Sequence, residues 1–199
     1  SAIVPGVTVA KNEGYKTVIS IRGVGNETNQ NAIAAPSVAF HMDGVFIASP
    51  FALSTDFLDV ERIEVLRGPQ GTLFGQNSTG GAVNVISKAP SMDGGSGRLN
   101  VTFGDYSLRK VSTSNNFVVN DKIATRFSLS SSTRDGFTEN VSTGQDLDDD
   151  NSKSFRSDWM FNLNDTSSLR VFGQYFKVDR NGAAIRGIDD QTSGMRKLS

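Results

Sequence analysis

The sequence predicts a two-part, β-rich chain. A small α+β domain with a mixed sheet and short helices is followed by antiparallel strands of an incomplete transmembrane β-barrel. Three observations predict it. Up to residue 92, short apolar runs are separated by Gly and Pro. From residue 97 onward, apolar and polar residues alternate. Between them lies Ser91-Met92-Asp93-Gly94-Gly95-Ser96-Gly97, a small, polar, Gly-rich linker. The expected domains are therefore 1–92 and 97–199.

In the first part, Val7-Thr8-Val9, Val18-Ile19-Ser20-Ile21, Val38-Ala39-Phe40, Val45-Phe46-Ile47 and Ala82-Val83-Asn84-Val85-Ile86 have the length and composition of compact strands. Gly44 after Asp43 is a hairpin or turn signal. A short helix is expected around Ser54 to Leu58, where Ser54 or Asp56 would cap the first turn.

In the second part, Ile123, Thr125, Phe127 and Leu129 alternate with Ala124, Arg126, Ser128 and Ser130. Phe155, Trp159, Phe161 and Leu163 likewise alternate with Arg156, Asp158, Met160 and Asn162. Period-2 alternation puts each set on one face of a sheet. A soluble sandwich and a membrane barrel both satisfy that pattern; the lengths of the connections favour the barrel. Val119-Asn120-Asp121-Lys122 and Asn164-Asp165-Thr166-Ser167 are tight turns, whereas Gly136 to Ser154 and the tail from Asn181 are long, polar and acidic. Short turns at one end and long loops at the other mark an outer-membrane barrel, with Gly104-Asp105-Tyr106-Ser107 as an unusually short outer loop. About five strands are expected, near 98–103, 108–118, 123–134, 152–163 and 168–179. So few cannot close, and open edges are not tolerated in lipid, so further strands are expected beyond Ser199.

Bulk composition removes other classes. Twenty Lys and Arg against 21 Asp and Glu leave no field to attract a polyanion, so nucleic acid is not an expected partner. Without Cys there is no disulfide or thiolate chemistry. His41 is the only histidine, so neither a His-based metal cluster nor a catalytic triad can be assembled. No cofactor, metal site or catalytic residue is expected. No stretch reaches the roughly 18–20 apolar residues of a membrane helix, which says nothing about strands.

Five words occur in order: VPGVTV, SIRGVG, AFHMDGVFI, DVERIEVLRGPQGTLFG and GGAVNVISKAP. Together, and followed by alternating strands, they resemble the plug domain and first barrel strands of a TonB-dependent outer-membrane receptor. The resemblance covers nearly the whole chain and is strongest in the plug. It implies a bacterial outer-membrane protein with about 22 strands around a plugged lumen. It further implies uptake of a scarce ligand, most often a ferric siderophore, energised by the periplasm-spanning partner TonB. Cobalamin or oligosaccharide cargo, and a receptor that senses or captures ligand without transport, are the alternatives. Such proteins are not enzymes. Asp43, Asp56 and Glu64 would be the acid–base candidates of a secreted hydrolase, but no nucleophile–base motif accompanies them. The family's TonB box and export signal are expected upstream of Ser1, since Ser1 to Gly6 has neither a basic start nor an apolar core.

The resemblance also implies roles for particular residues. Arg22 in SIRG and Arg67 in LRGP match two plug arginines that pair with glutamates on the inner barrel wall, a latch suited to the fixed guanidinium fork. The competing expectation pairs them with Glu61, Glu64 or Asp59 inside the plug. Apical ligand-contact loops would be Gly25 to Asn31, with Glu27, Asn29 and Gln30, and Ala48 to Leu53, with Phe51. Gly68, Gly71, Gly75, Gly80 and Gly81 would permit positive φ and close chain approach. An anion-binding nest is the alternative there, but the Lys and Ser/Thr of a phosphate loop are missing. Asp146 to Asn151 starts like a calcium loop, yet Asn151 replaces the Gly and Ser157 the bidentate Glu, so a solvated acidic loop is expected. His41 is expected to be structural. Phe127, Leu129, Phe155, Trp159 and Phe161 would face lipid.

Overall fold

The computed structural model describes residues 5–12, 16–25, 37–48, 57–75, 77–141 and 143–182. They divide into two compact units: Ser1–Ser54 with Val60–Lys88, and Thr55–Asp59 with Ala89–Ser199.

The first unit holds two small sheets. Strands β1 (Val7–Asn12), β2 (Lys16–Ile21) and β3 (Val24–Gly25) form an antiparallel meander. The second sheet runs β5-β4-β7-β6 and consists of β4 (Val38–Met42), β5 (Val45–Phe46), β6 (Val60–Arg67) and β7 (Gly81–Ser87). It is mixed, because β4 and β7 are parallel while the other pairs are antiparallel. Strands β4 and β7 are central and read as continuous apolar runs because both faces are covered. Val38, Ala39, Phe40, Ala82, Val83 and Val85 are buried, and Val18 and Ile21 of β2 are buried too. The β4–β5 hairpin turns on Asp43 (φ 49°) and Gly44 (φ 82°), the double positive φ of a type I′ turn. The described helix is a single turn, α1 (Gly71–Phe74). Of the helix expected at Ser54 to Leu58, residues 54–56 lie outside the described residues, and Phe57 and Leu58 are not helical.

The second unit is dominated by a five-stranded antiparallel sheet ordered β14-β13-β10-β9-β8. Its strands are β8 (Ser96–Gly104), β9 (Leu108–Asn120), β10 (Ile123–Arg134), β13 (Asp150–Asn164) and β14 (Ser167–Val178). All five expected strands are present, as antiparallel neighbours. The two tight turns are Asx-type: the Asn120 carboxamide accepts from the Lys122 N–H at 2.9 Å, and that of Asn164 from the Thr166 N–H at 3.0 Å.

The stretch from Gly136 to Ser154 is not one long loop. It contains a hairpin of β11 (Thr138–Asn140) and β12 (Gln145–Leu147), after which β13 already begins at Asp150. Nor is the acidic run simply solvated. Asp148 accepts from Thr138 Oγ1 at 2.8 Å. Asp150 accepts from Ser132 Oγ at 2.8 Å and from Arg180 Nε at 2.9 Å. Arg134 Nη2 donates to the Asp148 carbonyl. Charge and hydroxyl partners supplied by β10 and by Arg180 turn a string of carboxylates into an ordered rim. The partners sit far from the run in sequence, so local composition does not announce them.

The two faces of the sheet are chemically opposite. On one, Phe127 stacks on Phe155 at 6.5 Å and meets Trp159 edge-on at 6.0 Å, and Trp159 stacks on Phe161 at 6.3 Å. Leu99, Leu129 and Tyr175 share the row of Phe155 and are exposed. On the other face Arg126, Ser128, Ser130, Ser132, Ser152, Ser154, Arg156 and Asp158 are buried. A soluble sheet buries its apolar face and wets its polar one; this sheet does the reverse.

Candidate functional site

The loop LRGPQGTLFG–STGG closes on itself. Gly68 N–H donates to the Gly80 carbonyl, Gln70 N–H to Ser78 and Gly80 N–H to Ser37. Ser78 Oγ reaches the Gly75 carbonyl at 2.7 Å. These three amides are spent on backbone carbonyls, two within the loop and one at Ser37, so they are not free to cradle an anion. Gly81 is the tightest point: its φ is 143°, and a Cβ there would lie 2.3 Å from the Leu66 carbonyl oxygen. Gly80 is hemmed in by Val24, whose Cγ1 would lie 2.8 Å from such a Cβ. Gly68 and Gly75 have positive φ in open space. Gly71 has neither positive φ nor a close neighbour and simply opens α1.

Arg22 and Arg67 both lie exposed. Arg22 stands in a left-handed conformation (φ 53°), its N–H bonded to the Gly6 carbonyl at 2.6 Å. Among the described residues neither guanidinium makes an ion pair. The three carboxylates offered by the competing expectation are engaged elsewhere: Arg62 holds Glu61 at 3.1 Å and Glu64 at 2.9 Å, and Asp59 pairs with Arg126. The Arg62 hydrogen bond, with a second from Asn84, holds the Glu64 carboxyl below the usual carboxylate range. The expected ligand-contact residues Glu27, Asn29, Gln30 and Phe51 lie outside the described residues.

His41 is buried between Phe46 and Phe74, at ring distances of 5.5 and 4.9 Å. Its Nδ1 has no hydrogen-bond partner among the described residues. Burial pushes its pKa below the ordinary 6.5. As pH falls through about 6.5, the unfolded chain gains a proton that the folded unit refuses, so acidification removes stability. His41→Phe is expected to flatten the stability curve of the first unit between about pH 7 and 5. Denaturant titrations across that range check it; an unchanged slope would contradict it. The neighbouring carboxylates, Asp43 on the same turn and Glu64 through Asn84, remain in both proteins.

The polar face of the second unit carries a dense ionic network. The Asp158 carboxylate receives Arg156 Nη2 at 3.0 Å and Arg170 Nε at 2.9 Å. Arg156 lies 4.3 Å over the ring of Phe172, the residue paired with Asp158 on β14. Sequence alternation assigns Arg126, Arg156 and Asp158 to this face but leaves their partners unassigned, because Arg170 and Asp59 arrive from other segments.

Among the described residues, no group of three or more His, Cys, Asp and Glu could hold a metal ion. Residues 1–82 match the family model described as "TonB-dependent Receptor Plug Domain". The chain carries a TonB-dependent receptor plug. Relatives agree with that assignment. The chain is 34% identical over 90 residues to the pesticin receptor of Yersinia enterocolitica, a match covering 44% of this chain and 13% of that protein. It is 32% identical over 109 residues to the catecholate siderophore receptor Fiu of Escherichia coli K12, covering 53% of this chain and 14% of the relative. The chain thus spans about one-seventh of the length of these curated relatives. The ferric yersiniabactin uptake receptor FyuA of Yersinia pestis superposes with a TM-score of 0.82 at 23% identity, over 94% of this chain and 30% of that one. Plug followed by antiparallel strands is therefore the fold of this chain, as in the TonB-dependent receptors.

Proposed function

We propose that this chain is the plug and first barrel wall of an outer-membrane receptor that imports a ferric siderophore, driven by TonB. The observation that carries the reading is the union of a receptor plug with a sheet whose aromatic face is half-buried to exposed while its ionic face is buried. Placed in the outer membrane, Phe127, Phe155, Trp159 and Phe161 meet lipid, while Arg156, Asp158 and Arg170 face the lumen. The siderophore class is supported by the name of one relative, a catecholate siderophore receptor. The test is growth. Expressed as the full-length gene product in a strain stripped of its own siderophore receptors, the protein restores iron-limited growth on at least one ferric siderophore. Presence in the outer membrane with no rescue across catecholate, hydroxamate and mixed-type siderophores overturns the cargo class.

Arg22 and Arg67 take the latch role in this reading. Neither has an ion-pair partner among the described residues, and both carry the fixed fork that suits glutamates on a barrel wall. Arg67→Ala is expected to loosen the plug and to reduce uptake on the order of tenfold, the scale of one charge-assisted pair. Protease access to the plug and initial uptake rates measure both effects. Wild-type values for the two would remove the latch.

A further inference from the structure

We propose that a single cross-strand row on the polar face of the sheet, centred on Asn116 and Arg126, anchors both chain segments through which the plug joins the barrel wall. The two residues are direct register partners on β9 and β10, and Asp158 of β13 continues the row. Directly paired residues of an antiparallel sheet point to the same side.

Asn116 is buried and spends its carboxamide on the linker. Its Nδ2 donates to the carbonyls of Ser91 and Gly94, each at 2.8 Å, and its Oδ1 accepts the Ser91 N–H at 2.9 Å. Both faces of the amide are needed, a requirement that neither Asp nor Ser meets. One strand over, Arg126 Nε donates to the Asp59 carboxylate. These side chains are 7% and 12% exposed, so the pair is screened from water. Asp59 sits at φ 51°, a conformation that costs a non-glycine residue energy and persists where surroundings over-determine it. Leu58 beside it is buried. The next residue in the row, Asp158, is already held by Arg156 and Arg170, which leaves Arg126 directed at Asp59.

The row thus grips the chain at 58–59 and again at 91–94, on either side of residues 60–88. That stretch contains β6, α1 and β7, and both segments that flank it are held by the row. The anchor is separate from the arginine latch: it uses neither Arg22 nor Arg67, and its partners lie in this chain.

The experiment is amide hydrogen exchange on the full-length receptor in detergent, with heat-modifiable migration as the check that the barrel is folded. Asn116→Ala is expected to speed exchange of the 91–94 segment about tenfold or more, and Arg126→Met to do the same for 57–59. Asp59→Asn, which keeps the shape and removes the charge, should reproduce the Arg126→Met effect and serves where that variant fails to fold. Wild-type exchange of both segments in folded variants overturns the anchor. The inference rests on the plug-and-wall reading, but exchange reports anchoring whether or not any siderophore is taken up, so the two can fail separately.

Discussion

Asp158→Ala is expected to destabilise the barrel wall by about 3–5 kcal/mol, the scale of breaking a buried ion pair from one side. The Asp158 carboxylate pairs with both Arg156, at 3.0 Å, and Arg170, at 2.6 Å. Its side chain is 2% exposed and that of Arg156 is 3% exposed. Removing it takes the charged partner from a buried guanidinium, for which the neutral Gln174 Oε1 at 3.3 Å and the Phe172 ring are weaker substitutes, since cation–π contacts contribute about 0.5–2 kcal/mol. Asp158→Asn keeps one acceptor and should fall between wild type and alanine. Denaturant unfolding of the full-length receptor reads the difference. A loss under about 1 kcal/mol, the scale of an exposed pair, would mean that this face is wet and the carboxylate replaceable.

Gly81→Ala should be nearly as damaging to the plug, by roughly 2–6 kcal/mol. Two costs add: an unfavourable backbone region, about 1–3 kcal/mol, and overpacking, about 1–3 kcal/mol. The overpacking meets backbone, because the new Cβ would sit 2.3 Å from the Leu66 carbonyl oxygen on the paired strand β6. Gly68→Ala is the control: its φ of 85° carries the first cost, but nothing lies within 4 Å to carry the second. Thermal or protease unfolding of the plug should therefore rank Gly81→Ala well below Gly68→Ala. Equal behaviour would show that close approach at Gly81 is not what constrains the β6–β7 pair.

The elements legible in the sequence were those with a local signature. Ile123 to Leu129 and Phe155 to Leu163 declare their faces by alternation, and the Asn120 and Asn164 turns fix which strands are neighbours. Strand β6 was not legible as a strand. Val60 to Arg67 carries Glu61, Arg62 and Glu64, charges that an edge position tolerates because they pair with one another in solvent. The hairpin within 136–150 was hidden for a different reason. The carboxylates that follow it, Asp148 and Asp150, are met by Thr138, Ser132 and Arg180, and such pairing depends on register across strands. The same holds for the polar row. Alternation places Arg126 on the inner face, but only the fold brings Asp59, 67 positions away, to its guanidinium. The latch role of Arg22 and Arg67 is implied by the family resemblance and not by their local chemistry. What the structure adds is that Glu61, Glu64 and Asp59 are already engaged by other arginines.

The most direct test of import is uptake of radioactive iron, presented as ferric siderophores, by cells carrying the full-length receptor, with and without functional TonB. Saturable uptake that needs both the receptor and TonB is the expected result. Surface binding of the same siderophore that is identical with and without TonB, and never followed by accumulation of iron, would contradict import and make the protein a capture receptor.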